Sequence, residues 1–243
     1  YYLSYCPERV LPGNVMYELY NNDRVIGGIN NESTRKAIDF YKEFVRGKLF
    51  PTNDKTAELC KLIENASRDN QIAFANEVSL ICERLKIDSS ELIDLTNKHP
   101  RVNILKPGIG VGGHCIPVDP YFLINNMKDL TTLMSSSRKV NLYKTDWVLN
   151  QIINHIKIFE DNHNRKPILG ILGITYKPDV NDLRESPAVE IINGLMKKLP
   201  DYQYYVNDDI VNKHPLFDLK SLDETLSISD ISIKLVDHKY YSD

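Results

Sequence analysis

The chain has no basic excess. Thirty Lys and Arg stand against thirty-three Asp and Glu, a net charge of −3, which leaves no electrostatic footprint for nucleic acid. It also lacks a long apolar run, since nothing approaches the ~20 residues of a membrane span. Cysteine is scarce: Cys6, Cys60, Cys82 and Cys115 are the only four, and none are paired as C-x-x-C. That excludes a zinc motif or a disulfide framework. No metal is expected, and a reducing cytoplasm is the expected compartment. The first residues do not read as a signal peptide. Glycine numbers only eleven, and four of these crowd into one place.

That place is Pro107-Gly108-Ile109-Gly110-Val111-Gly112-Gly113-His114-Cys115-Ile116-Pro117-Val118-Asp119-Pro120. A backbone this bare can press its N–H groups against a ligand and take φ values that other residues avoid. A thiol at its end, with Asp119 four residues later, reads as a nucleophile beside an anionic substrate. The plain alternative is a glycine turn followed by a buried structural cysteine. Gly108, Gly110 and Gly113 also match G-x-G-x-x-G, but Pro107, Pro117 and Pro120 leave no preceding strand and no long following helix. The run is therefore rejected as a dinucleotide loop.

Along the chain, Arg24–Ile29 reads as a strand ending on glycines, Asn31 as a helix cap, and Leu49–Thr52 as a short edge strand. Residues 55–85 carry a helical pattern without proline or glycine. At ~1.5 Å per residue that helix would span about 45 Å, the length of a domain spine or a subunit interface. Asp88 with Glu91 makes a capping box for a helix over 92–97, and a further helix is expected over about 139–160. Beyond a polar boundary at 161–167, the apolar run 168–174 reads as a buried parallel strand. A helix opening at Pro187 follows, then strands at 204–208 and 231–236. Strand–helix–strand alternation implies a parallel α/β sheet. The chain opens in an apparent strand at Tyr1 without methionine and closes just after another. A piece of a longer polypeptide is expected.

Other residues suit chemistry. Lys61 and Asn65, four apart on the long helix, share one face. They could steady an oxyanion and orient a reacting group, or Lys61 could simply snorkel to solvent. Glu8 stands at a strand's end, where acid–base work is done in open α/β sheets; a solvated loop glutamate is the alternative. Cys6 reads as structural. In the loop 175–187, Lys177 and Arg184 suit phosphates ahead of a helix N-terminus. Arg101 could reach a phosphate or carboxylate.

In order, the blocks Cys6-Pro7-Glu8-Arg9, Ala57–Asn65, Gly110-Val111-Gly112-Gly113-His114-Cys115 with Asp119, and Tyr176-Lys177-Pro178-Asp179 with Arg184-Glu185-Ser186 resemble the UDP-glucose/GDP-mannose dehydrogenase family. The Cys6–Gly13 and His114-Cys115 variants look most like the branch acting on a UDP-N-acetylhexosamine. The resemblance implies an α/β fold in three parts: a Rossmann-like remnant of the NAD-binding domain (1–53), a central long-helix dimerisation and catalytic domain (54–160), and a Rossmann-like UDP-binding domain (161–243).

It also implies NAD-dependent oxidation of a sugar C6 alcohol to a carboxylate. Cys115 would form a thiohemiacetal and then a thioester. Lys61 would stabilise the oxyanion, Asn65 would orient the reacting group, and Asp119 and Glu8 would manage protons and water. Gly108, Gly110, Gly112, Gly113 and Lys177 would hold the nucleotide sugar. Arg101 would reach a neighbouring subunit's site in a homodimer, and Arg184 would lie near the cofactor. Some members place a second glutamate four residues after the first, where this chain has Pro12. With no true glycine fingerprint, most of the NAD domain is expected to be absent and the chain inactive alone. The alternative from another class is a non-catalytic nucleotide-sugar-binding or oligomerisation module. A cysteine acyl-transfer enzyme is a third.

Overall fold

The computed structural model describes residues 1–10 and 14–241; Pro12, with Leu11 and Gly13, lies outside them. The elements run β1 (Ser4–Tyr5), α1 (Val15–Asn21), β2 (Arg24–Gly28), α2 (Asn31–Tyr41), β3 (Leu49–Asn53), α3 (Asp54–Leu85), α4 (Ser89–Thr96) and α5 (Asp119–Asn126). They continue with α6 (Thr132–His163), β4 (Leu169–Leu172), α7 (Pro187–Lys198), β5 (Tyr204–Asn207), α8 (Leu222–Ile228) and β6 (Ile231–Lys234). Two compact units result: residues 1–67 with 119–123, and residues 68–118 with 124–243. Among the described residues no helix is long and apolar enough to cross a membrane.

In the first unit the sheet order is β1-β2-β3, with β1 antiparallel and β3 parallel to β2. The glycines that end β2 are demanded by packing. A Cβ on Gly27 would stand 2.1 Å from Asn53 O and 2.6 Å from Ala57 Cβ, so bare backbone lets β2 lie against β3 and the first turn of α3. The cap of α2 is Asn30, whose side chain accepts from Ser33 N. Asn31, expected to cap, is already the first helical residue. Either asparagine suits a cap; the strand's end decides which one supplies it.

In the second unit β5, β4 and β6 form a parallel sheet in that order, as the apolar runs lead one to expect. Leu169, Ile171, Ile174, Ile191, Ile192, Leu195 and Val206 build its core. At the end of β4, Gly173 turns the chain at φ +83°, where a Cβ would meet Val236 Cβ at 2.6 Å. Ser186 caps α7 by accepting from Val189 N, with proline in the first turn.

Helix α6 begins at Thr132 rather than near Lys139. The Ser135-Ser136-Ser137 stretch has weak helix propensity, but Ser137 and Arg138 are buried against the rest of the unit and packing overrides it. Helices α1, α5 and α8, of seven or eight residues, are too short for periodicity to reveal. Only α8 carries a readable start, Ser221 accepting from Glu224 N.

Candidate active site

In the first unit α3 sets Lys61 and Asn65, both half-buried, one turn apart on one face. The Asn65 Nδ2 donates to Asp119 Oδ2 at 2.5 Å, so three residues singled out from the sequence meet at one surface. Nearby, the Tyr5 hydroxyl is pushed up by burial and by the charges of Glu58 and Asp119.

Glu8 is engaged elsewhere. Its carboxylate accepts from Arg9 N at 2.7 Å and from Arg24 Nη1 at 3.1 Å. Burial pushes the carboxyl up, but these hydrogen bonds outweigh it and hold the group below its ordinary value. It is thus poised as an ionised carboxylate rather than as a proton donor. Arg24 is itself 3 % exposed and donates a second bond to Leu19 O. Arg9 forks onto Glu64 of α3, tying the Cys6–Arg9 segment to the helix that carries Lys61. Arg9, Arg24 and Glu64 went unnoticed in the sequence, although Arg9 stands beside Glu8 in the same block. Cys6 has its thiol pushed up by burial, in contact with Tyr41, which fits a structural role.

In the second unit the glycines are spent largely on seating the loop. At Gly110, φ is +147° and a Cβ would lie 2.2 Å from Thr145 Oγ1. At Gly112 it would lie 2.6 Å from Glu185 O and from Tyr176 Cβ. Gly113, at φ +89°, lies under the Tyr176 ring and donates its N–H to Arg184 O at 2.9 Å. Gly108 is exposed, and its N–H is held by Asn76 Oδ1 at 2.9 Å. Gly110→Ala combines an unfavourable φ with a clash against the Thr145 hydroxyl and the Pro187 ring. It is expected to cost the chain at least ~2 kcal/mol in urea unfolding; an unchanged midpoint would show that the loop re-forms around the new methyl.

Cys115 is half-buried, its carbonyl accepting from Val118 N in a turn. Two titratable neighbours lie near it: the Tyr176 hydroxyl is pushed up by burial, by Asp182 and by Cys115, while Arg184 interacts first with Asp182 and also with Cys115. Asp182 grips the exposed Arg184 guanidinium, Nη2 to Oδ2 at 2.7 Å. Lys177 is exposed, with its carbonyl fixed by Thr175 Oγ1 at 3.0 Å. Arg101 is exposed and its N–H donates to His99 Nδ1 at 3.3 Å. Tyr176, given no role from the sequence, packs against Gly112 and Gly113 and so helps to join the glycine loop to the Lys177–Arg184 loop.

Sequence matching gives this arrangement a family. The chain belongs to the UDP-glucose/GDP-mannose dehydrogenase family, matching its NAD binding domain over residues 1–45, its central domain over 55–143 and its UDP binding domain over 170–243.

Among relatives, it is 44% identical over 98% of its length to the UDP-N-acetyl-D-mannosamine dehydrogenase of Escherichia coli K12, and covers 59% of that protein. It is 41% identical to the NDP-N-acetyl-D-galactosaminuronic acid dehydrogenase of Ralstonia nicotianae, covering 56% of it. The UDP-D-ManNAc dehydrogenase structure from Pyrococcus horikoshii superposes with a TM-score of 0.87 at 35% identity, over 99% of this chain and 56% of that one. A structure of the UDP-N-acetyl-mannosamine dehydrogenase of S. aureus gives 0.87 at 37% identity, over 100% and 56%.

Residues 1–45 therefore carry NAD-domain sequence, and the match lends no support to the expectation that this domain is absent. The described glycines there, Gly27 and Gly28, are closed by packing: a Cβ on Gly28 would meet Thr34 N at 2.4 Å. Among the residues considered for the cofactor, Arg184 presents an exposed guanidinium that fits a phosphate.

Proposed function

We propose that the chain supplies the substrate-binding and thiol-bearing parts of an NAD-dependent nucleotide-sugar 6-dehydrogenase that takes UDP-N-acetylmannosamine. The supporting observation is the Asn65–Asp119 hydrogen bond beside Lys61, with Cys115 four residues before that carboxylate in the chain. NAD, when bound, accepts hydride from C6 of the sugar.

The chain's own residues do the rest. The Cys115 thiol gives up its proton to solvent as its sulfur bonds to the C6 aldehyde carbon, and the Lys61 ammonium neutralises the alkoxide that forms. Asn65 holds the reacting oxygen in register. After hydride loss the thioester carbon is attacked by water, whose proton goes to a carboxylate, and the sulfur leaves as the sugar acid forms. Asp119 is the acceptor within reach of Asn65; Glu8, kept ionised by Arg24, orders the water. The Gly108–Gly113 backbone and Lys177 hold the nucleotide sugar, Arg184 faces the cofactor, and Arg101 reaches a second subunit's site.

The division at 53/54 and 160/161 belongs to the same reading, as do a cytoplasmic setting and a homodimer through the long helix. Phe74, Ile81 and Leu85 all stand exposed on α3, an apolar face suited to a second copy. Ile81→Glu is expected to shift the chain from dimer to monomer in sedimentation; a monomeric parent would overturn the dimer.

The deciding experiment gives UDP-N-acetylmannosamine and NAD to a polypeptide that carries this chain with a complete NAD domain. Two NADH per sugar are expected, and much slower turnover on UDP-glucose. Binding of the nucleotide sugar with no NADH would favour the non-catalytic module. The 243 residues alone, without a glycine fingerprint, are expected to release no NADH, and release by them would overturn that part.

A further inference from the structure

We propose that Asn76 on α3 is a positioning residue for the Cys115 loop, its amide aimed by Asp69 through Asn141. The three side chains are essentially inaccessible to solvent, at 0% for Asn76, 1% for Asn141 and 0% for Asp69. Gly108 N donates to Asn76 Oδ1 at 2.9 Å, Asn76 Nδ2 donates to Asn141 Oδ1 at 2.9 Å, and Asn141 Nδ2 donates to Asp69 Oδ1 at 2.8 Å. Arg138 Nη1 donates to the same carboxylate oxygen at 2.6 Å.

The directions in this relay follow from Asp69. Its carboxylate and its backbone carbonyl only accept, and Asn141 Nδ2 donates to them at 2.8 Å and 3.2 Å, so Asn141 must turn its NH₂ toward Asp69 and its carbonyl toward Asn76. Asn76 must then spend its NH₂ on Asn141, which leaves its carbonyl facing the loop. There Gly108 presents an N–H. Flipping either amide would set like groups against each other in a place closed to water, so one orientation is dictated. The anionic end of the relay thus fixes, two amides away, an acceptor that the loop's first glycine requires.

A second hold runs in parallel, from Thr145 Oγ1 on α6 to Ile109 O at 2.9 Å. Downstream, Gly113 is pinned to Arg184 O, two residues before Cys115. The loop entrance is therefore clamped to the α3–α6 pair and its exit to the Arg184 loop. The consequence for the thiol rests on the reading of Cys115 as nucleophile; the relay itself does not.

The test uses the 243-residue chain and reads amide hydrogen exchange at Gly108 together with iodoacetamide labelling of Cys115. Cys82, buried on the same helix, is the internal control. Asn76→Ala is expected to speed Gly108 exchange about tenfold, the worth of one buried hydrogen bond. Asn141→Ala, which touches neither the loop nor Cys115, is expected to speed it about fivefold by freeing the Asn76 amide. The double variant should exchange no faster than Asn76→Ala alone, because both act on one relay. Labelling of Cys115 should change severalfold while Cys82 stays protected.

Unchanged Gly108 exchange in Asn141→Ala would overturn the relay, as would additive effects or Cys82 opening in step with Gly108. Should Asn141→Ala fail to fold, the similarly sized Asn141→Leu decides. It takes away the acceptor of the Asn76 amide, so Gly108 exchange rises, and exchange at the parent rate overturns the proposal. A Gly108 response with Cys115 labelling unmoved would overturn the positioning of the thiol.

Discussion

Cys115→Ser is expected to lower NADH release from UDP-N-acetylmannosamine by at least about a thousandfold in the polypeptide with a complete NAD domain. The sulfur does two jobs that an oxygen does badly. Sulfur is a far stronger nucleophile toward a carbonyl than a serine hydroxyl, and it leaves readily when water attacks the acyl intermediate. Without it the aldehyde stage has no covalent route to the acid.

Lys61→Ala should cost about a hundred- to a thousandfold, the usual worth of a group that meets a developing oxyanion. The same substitution to serine at Cys6, Cys60 or Cys82 should leave turnover within about threefold, because surface or packing changes away from the chemistry rarely move a barrier by more than a fraction of a kcal/mol. Stopped-flow NADH absorbance with single-turnover amounts of enzyme separates the two oxidations. Activity in Cys115→Ser within tenfold of the parent would sink the thioester route. It would leave Asp119 and Lys61 as the groups to explain turnover.

What the sequence displayed and what it hid divide along sequence distance. Helix α3 announced itself because thirty-two residues repeat one apolar face without a breaker. The second sheet did so because continuous apolar runs alternate with a capped, proline-started helix. Both are local signals.

The ties that define the site surface are not local. Arg9 meets Glu64 fifty-five residues away and Asn65 meets Asp119 fifty-four residues away, so no pattern along the chain could reveal either. Glu8 shows what such distance hides. Read as a candidate for acid–base or water-activating work, it stands as an ionised carboxylate, and the buried Arg24 that holds it lies sixteen residues on. The glycine run carries the same lesson. Its bareness was legible, but that Gly110 and Gly112 are small because Thr145 and Glu185 lie against them could be learned only from the folded chain.

The largest effect on stability is expected from Arg138→Met. Arg138 and Asp69 form a buried pair at 2.6 Å, their side chains 5% and 0% exposed. Removing the guanidinium leaves a carboxylate with no countercharge in a medium that solvates it poorly, a loss of ~3–5 kcal/mol in cases of this kind. Asn141 still donates to the same oxygen, which places the expected loss at the lower end, near ~3 kcal/mol.

The pH dependence carries the distinguishing sign. Burial already holds the Asp69 carboxyl above its ordinary value despite Arg138, and deleting the guanidinium removes the main opposing influence. A group with a raised folded-state pKa favours the fold when protonated. Its stabilising effect is complete below the unfolded pKa and is lost as pH rises through the folded one. Arg138→Met should therefore recover toward the parent as pH falls from neutral toward the ordinary aspartate range, opposite to the usual carboxylate. In that background Asp69→Asn should abolish the recovery and restore most of the neutral-pH loss. Urea unfolding of the three chains across this range is the measurement. Parallel pH profiles for Arg138→Met and the parent would mean that Asp69 is solvated by something other than its arginine.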